Sequence, residues 1–240
     1  MKTVLITGAN KGIGFETAKQ LAQLGYFVYL GSREIANGIE AVNKLKSMGM
    51  QNVETIQIDV SNKASLVQAK KELESKIESL DVLINNAATT GEQPQNISSC
   101  DIEIYRKVFD TNYFGAIQTT QQFIPLLQKS KLPIIINVAS EVGSLTMHTS
   151  EGRNPNWDFY NAYGSSKTAL NSFTVMLANE LRNTNFKINS VTPGYTATDL
   201  NDHKGIKTVE QGAKPIVKLA TMNNDGPTGK FFREEGEVPW

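Results

Sequence analysis

The chain of 240 residues has one cysteine, Cys100, and two histidines, His148 and His203. A single cysteine closes no internal disulfide and fits a reducing compartment. Two histidines far apart in the chain offer no metal-ligand spacing, so no metal site is expected. Lys plus Arg and Asp plus Glu each number 24, leaving no net charge to draw the chain to nucleic acid or an anionic membrane. No apolar run approaches the roughly 20 residues of a membrane span. Met1-Lys2 leads straight into an apolar stretch, so no signal peptide is expected and a cytoplasmic location follows. There is no internal repeat, low-complexity tract or linker. The length suits one domain over residues 1–240 with a sizeable core. These absences leave a small molecule as the expected partner, bound by a monomer or a homo-oligomer.

What is present is an alternation of two periodicities. Apolar runs at 3–6, 26–31, 53–58, 81–84, 133–138 and 186–191 read as strands. Helical patterns lie between them, at about 15–25, 34–48, 62–79, 101–129, 160–182 and 208–221. Ser61 is placed as the N-cap of the third helix, and Phe231-Phe232 as a closing edge strand. Strands alternating with helices imply right-handed crossovers. The expected fold is α/β: a Rossmann-type, doubly wound parallel sheet with helices on both faces. Ligands in such sheets sit beyond the carboxyl ends of the strands.

The first such end carries Thr7-Gly8-Ala9-Asn10-Lys11-Gly12-Ile13-Gly14. Gly8 permits a sharp exit from the strand. Gly12 leaves the backbone open to a pyrophosphate, and Gly14 lets the helix pack close. The free N–H groups and dipole of that helix start form an anion site. An acid at the end of the second strand would bond a ribose hydroxyl. Leu30-Gly31-Ser32-Arg33 has none there. Arg33, with Lys11 as a second cation, suits a 2′-phosphate instead, so NADP(H) is the expected cofactor.

Tyr163 and Lys167, in Tyr163-Gly164-Ser165-Ser166-Lys167, are four apart and share one helix face. A nearby ammonium, and the positive oxidised nicotinamide, favour the phenolate and lower the tyrosine pKa. Tyr163 can then give a proton to an alkoxide or take one from an alcohol. Ser140, in Asn137-Val138-Ala139-Ser140, follows the fifth strand and can hold the substrate oxygen beside it. Asn112 interrupts the long helical stretch, where a kink would expose it.

Together these stretches, over residues 3–200, resemble the short-chain dehydrogenase/reductase family, and most of all its carbonyl reductase branch. The resemblance implies a cofactor site of Gly8, Asn10, Lys11, Gly12, Ile13 and Gly14, with Ser32 and Arg33 at the adenosine end. It adds Asp59 and Val60 at the adenine, and Asn86 and Ala87 in Asn85-Asn86-Ala87-Ala88, where Ala88 replaces the family's usual glycine. Pro193, Gly194, Thr196 and Thr198 resemble the segment that caps the nicotinamide. Tyr163 and Lys167 serve both cofactor and chemistry, and Asn112 holds a water linking Lys167 to solvent. Ser140 and Tyr163 are separated by 23 positions, more than compact members carry, and the extra residues form a polar loop around Trp157. Trp157 and Tyr195 are candidate substrate contacts. The implied activity is NADPH-dependent reduction of a ketone or aldehyde. The alternatives are a 3-oxoacyl carrier-protein reductase, a sugar or steroid alcohol dehydrogenase, and a non-catalytic dinucleotide sensor.

Overall fold

The computed structural model describes residues 1–240. Its strands are β1 (Thr3–Ile6), β2 (Phe27–Ser32), β3 (Val53–Gln57), β4 (Val82–Asn85), β5 (Ile134–Val138), β6 (Lys187–Val191), β7 (Lys230–Arg233) and β8 (Gly236–Glu237). They form one sheet in the order β3-β2-β1-β4-β5-β6-β7-β8, parallel throughout except for the antiparallel last pair. The helices are α1 (Gly12–Gln23), α2 (Ile35–Ser47), α3 (Lys63–Glu74), α4 (Ile102–Phe109), α5 (Gly115–Leu127), α6 (Leu145–His148), α7 (Asn161–Glu180) and α8 (Val209–Ala220). No helix is long and apolar enough to cross a membrane.

The central strands are mostly apolar along their length because both faces are covered. Alternate side chains enter different cores. Val4, Ile6, Val28, Leu30, Ile134 and Ile136 pack with α1, α2 and α8. Leu5, Tyr29, Leu83 and Ile135 pack with α3, α5 and α7 on the other side. The strand order reverses between β1 and β4, so a crevice opens where their carboxyl ends diverge.

Several boundaries differ from the sequence pattern, each for a local reason. Asn62, not Ser61, caps α3, because its Oδ1 accepts from the N–H groups of Ala64 and Ser65. Ser61 instead bonds Asp59 Oδ1. The third helix stops at Glu74, short of the 79 its Lys/Glu-rich pattern suggested. The 101–129 stretch is two helices joined by a π turn, Asp110–Phe114, which holds Asn112. Phe231 and Phe232 lie in β7, but the edge is β8, a two-residue strand hairpinned against it.

A buried polar line crosses the second core. Asn85, Asn137 and Ser190 are register partners on β4, β5 and β6. Asn85 Nδ2 donates to Asn137 Oδ1 at 2.8 Å and to Thr120 Oγ1 of α5 at 3.0 Å. Asn137 Nδ2 donates to Thr174 Oγ1 of α7 at 2.8 Å, and that hydroxyl lies 2.8 Å from Ser190 Oγ. The line fixes α5 and α7 to three neighbouring strands, because buried polar groups lose heavily when unpaired. Asn137→Ala removes one hydrogen-bond partner from each of Asn85 and Thr174, with an expected cost of about 1–3 kcal/mol. Urea unfolding should show a lower midpoint at unchanged slope. An unchanged midpoint would mean the line contributes nothing to stability.

Candidate active site

The end of β1 is shaped by contacts that leave no room for side chains. Gly8 has φ +62°, and a Cβ there would lie 2.9 Å from Ala87 Cα. A Cβ on Gly14 would lie 2.5 Å from Asn86 Nδ2 and 2.7 Å from the Gly8 carbonyl oxygen. Asn86 Nδ2 donates to the carbonyls of Thr7 (2.8 Å) and Gly8 (3.0 Å). The Thr7 hydroxyl accepts from the N–H groups of Asn86 and Ala87, both at 3.0 Å. These bonds lock the ends of β1 and β4 together.

Beyond them opens a cleft of about 850 Å³. Gly8, Asn10, Lys11, Gly12, Ile13 and Gly14 line it, with Ser32, Arg33, Asp59, Val60, Asn86, Ala87 and Thr198. At its floor, α1 starts at Gly12 with no side-chain cap, whereas α3, α4 and α8 are capped by Asn62, Asp101 and Thr208. Uncapped N–H groups at a helix start are anion donors. Ser32 ends β2, is buried, and donates to the Glu34 carbonyl at 2.8 Å. Arg33 stands exposed beside it. Lys11 pairs with Asp199 at 2.7 Å and holds that carboxyl below the usual carboxylate range. The second cation of the glycine turn thus lines the cleft while paired with an exposed carboxylate.

Tyr163, Lys167 and Ser140 lie at the carboxyl end of β5 and the start of α7. Lys167 is buried, and its Nζ donates to the Val138 carbonyl at 2.7 Å. The same Nζ is 5.5 Å from the centroid of the Tyr163 ring. Ser140 is drawn against α7 by two glycines in the pieces that meet. A Cβ on Gly143 would lie 2.8 Å from Lys167 Cβ, and one on Gly164 would lie 2.9 Å from the Val142 carbonyl oxygen. Thr168 Oγ1 and Asn171 Nδ2 both donate to the Gly143 carbonyl and fasten the turn. Neither these braces nor Gly164 stood out in the sequence.

The electrostatics differ from the expectation that Lys167 lowers the tyrosine pKa. Burial pushes Tyr163 up to about 12, and hydrogen bonding to Ser140 pulls the other way. Burial also pushes Lys167 down to about 7. Desolvation penalises the charged form of each group.

The expected break is the π turn, but it does not expose Asn112: the side chain is buried, because the turn directs it against the loop after β4 and α7. Its Oδ1 accepts from Thr89 N–H at 2.8 Å, and its Nδ2 donates to Thr89 O at 2.9 Å and Ser166 Oγ at 3.0 Å. The side chain braces the loop after β4 against α7. Thr196 is buried and bonds its own turn through the carbonyls of Pro193 and Gly194, while Thr198 reaches the cleft. The segment after β6 closes on itself, with Ile206 and Lys207 donating to the Tyr195 carbonyl. Tyr195 is 49% exposed on that segment. Trp157 is half-buried and rests on His148, with ring centroids 5.1 Å apart.

The pKa of Lys167 makes a stability prediction. An unfolded lysine holds its proton up to about pH 10.4, whereas the folded one releases it near 7. Between these values the unfolded state binds more protons, so stability rises with pH. Below pH 7 this group adds no slope. The melting temperature of the wild type should therefore climb relative to Lys167→Met from about pH 7 to 10. Parallel curves would place the ammonium in a better-solvated setting than the structure gives it.

Comparison with known proteins agrees with this geometry. A family model described as short chain dehydrogenase matches residues 2–208. A short-chain dehydrogenase of Penicillium roqueforti is 39% identical over 244 residues, covering 98% of this chain and 95% of the relative. A (+)-neomenthol dehydrogenase of Capsicum annuum is 33% identical over 299 residues, covering 95% of this chain and 94% of the relative. Among solved structures, an NADPH-bound carbonyl reductase from chicken fatty liver superposes with a TM-score of 0.86 at 25% identity, over 100% of this chain and 99% of that one. With its glycine turn, its strand order and its tyrosine–lysine helix, the chain belongs to the short-chain dehydrogenase/reductase family.

Proposed function

We propose that this oxidoreductase reduces a ketone or aldehyde to an alcohol, with NADPH as the cofactor and Tyr163 as the proton donor. The observation that carries the chemistry is Tyr163 on the first turn of α7, with Ser140 drawn to it and Lys167 one turn behind. The cleft fits a dinucleotide by its shape and donors. It has an uncapped helix start, a glycine cradle that a Cβ would fill, and three cations, Lys11, Arg33 and Lys44, in its lining. Gly8, Asn10, Lys11, Gly12, Ile13 and Gly14 would hold the pyrophosphate, Asp59 and Val60 the adenine, and Asn86 and Ala87 the middle. Pro193, Gly194, Thr196 and Thr198 would flank the nicotinamide. When bound, the reduced nicotinamide supplies the hydride.

Ser140 Oγ orients the carbonyl oxygen, and Tyr163 Oη carries the proton it receives. A phenol whose pKa is raised to about 12 is protonated at neutral pH, the form that reduction requires. Alcohol oxidation needs the phenolate and is favoured as pH rises. Lys167, anchored to the Val138 carbonyl, holds a donor at the end of β5, where a ribose hydroxyl can reach it. Asn112 keeps the loop after β4 seated on α7. Trp157 and Tyr195 stand on the two segments that would flank the substrate. Tyr163→Phe should keep NADPH affinity while turnover of an activated ketone falls by orders of magnitude, in line with lost general acid catalysis. Near-normal turnover would end this mechanism.

The choice of NADPH rests on the end of β2. Ser32 occupies the place of an acid, and Arg33 lines the cleft. A charge-assisted hydrogen bond from a guanidinium to a phosphate is worth about 1.5–3 kcal/mol. The Arg33 side chain is 75% exposed, so solvent screening leaves the lower end of that range, about tenfold in affinity. Ser32→Asp with Arg33→Leu should shift the preference toward NADH, partially, because Lys11 remains. The measurement is kcat/KM for both cofactors at fixed ionic strength. A wild type that already prefers NADH would refute the assignment and leave the tyrosine chemistry standing.

A further inference from the structure

Gln95 is the one fully buried residue in the loop that runs from β4 to α4. Its amide is spent in two directions. Nε2 donates to the carbonyls of Thr90 at 2.6 Å and Glu92 at 3.1 Å, within its own loop. Oε1 accepts from the backbone N–H groups of Ala162 at 2.9 Å and Tyr163 at 3.3 Å. The Gln95 carbonyl also accepts from Asn161 Nδ2 at 3.0 Å. The N-cap of α7, Tyr160, provides no side-chain bond to the helix, so Gln95 supplies from 67 and 68 positions away what a local cap would.

The same loop reaches Tyr163 by a second route. Thr89 is bonded through both its N–H and its carbonyl to Asn112, which donates to Ser166 Oγ. Ser166 Oγ in turn donates to the Tyr163 carbonyl at 2.7 Å. Both backbone polar groups of Tyr163 are thus held by side chains tied to residues 89–95. Asn86, Ala87, Ala88 and Thr89, at the other end of that loop, line the cleft. One loop therefore lines the cleft with Asn86 to Thr89 and holds the Tyr163 backbone through Thr89 and Gln95.

We propose that Gln95 is a positioning residue for Tyr163, setting the first turn of α7 relative to the loop that lines the cofactor cleft. The inference rests on the reading of Tyr163 as proton donor. Placement errors of about 1 Å at a reacting group can cost a hundredfold in rate. Gln95→Met keeps the volume and removes both the donor and the acceptor. Gln95→Glu keeps an acceptor, and in its protonated form restores one donor.

The test compares NADPH oxidation with 2,2,2-trifluoroacetophenone in the wild type, Gln95→Met, Tyr163→Phe and the double variant. Gln95→Met should lower kcat about ten- to a hundredfold with NADPH affinity within a few fold of wild type. In the Tyr163→Phe background the same substitution should change the residual rate by less than about threefold, because a residue acting through the tyrosine has nothing left to act on. Gln95→Glu should recover activity as pH falls. Equal losses in both backgrounds would make Gln95 a general structural support and overturn the proposal. A fully active Gln95→Met would do the same. If Tyr163→Phe itself retains turnover, the proposed function fails separately. A readout independent of turnover is the ring signal of 13C-labelled tyrosine, assigned by its loss in Tyr163→Phe. It should move in Gln95→Met at neutral pH, and an unmoved signal would also overturn the proposal. Should Gln95→Met not fold, Gln95→Glu, followed by the same ring signal and rates across pH, carries the test alone.

Discussion

The carboxyl ends of β1 and β4 have to touch. A Cβ at Gly8 would lie 2.9 Å from the Ala87 backbone, and one at Gly14 would meet Asn86 at 2.5 Å. Because those atoms are missing, Asn86 reaches across to the Thr7 and Gly8 carbonyls, and Thr7 answers with its hydroxyl. The crevice at the reversal of strand order is thereby given a rigid floor. The glycine turn and the first residues of the loop leaving β4 take their positions from it. The uncapped start of α1 points into the cleft because the turn is this tight. The loop leaving β4 begins at the same junction and runs on to α7.

The second half of the site is fixed by different means. The buried line from Asn85 through Asn137 to Thr174 and Ser190 ties α5 and α7 to β4, β5 and β6. Two missing Cβ atoms, at Gly143 and Gly164, then let the turn after β5 lie on α7. The helix carrying Tyr163 and Lys167 is held on its sheet side by hydrogen bonds. It is held on its loop side by close packing and by Gln95. A site built on strand ends and one helix needs little from mobile segments to keep its reactive groups together.

This division explains what was legible in the sequence. The strands were found because two-faced burial forces continuous apolar runs. The glycine turn, the tyrosine–lysine pair and Ser140 stand out in the sequence because those residue types fall at short spacing or at a strand end, and the structure places Tyr163, Lys167 and Ser140 together beside β5. Asn112 was singled out because it broke a helical pattern, and the π turn is that break. Gln95 left no such mark. Its partners are 67 and 68 positions away, and nothing in Gln93-Pro94-Gln95 distinguishes it from a surface turn. The depressed lysine and raised tyrosine pKa values were likewise invisible, since desolvation is a property of the assembled fold. The pairing of Lys11 was equally illegible, because its partner Asp199 arrives from a segment 188 positions on.

The charges around the cleft fall into two kinds, and the difference bears on how an anion would be received. Lys11 is paired with Asp199, with side chains 66% and 54% exposed, and Arg33 stands 3.9 Å from Glu34 in a similarly open place. Exposed pairs of this sort are worth about 0–1 kcal/mol, so each cation can be transferred to a stronger acceptor at little cost. A phosphate carries more charge than a carboxylate and gathers several donors at once. Lys167 is the opposite case. It is buried with a neutral carbonyl as its bonding partner, and its pKa falls to about 7 as a result. Burial thus disfavours the charged form of this side chain. The open cations can change partners at little cost, whereas the enclosed one is fixed by burial and by the Val138 carbonyl.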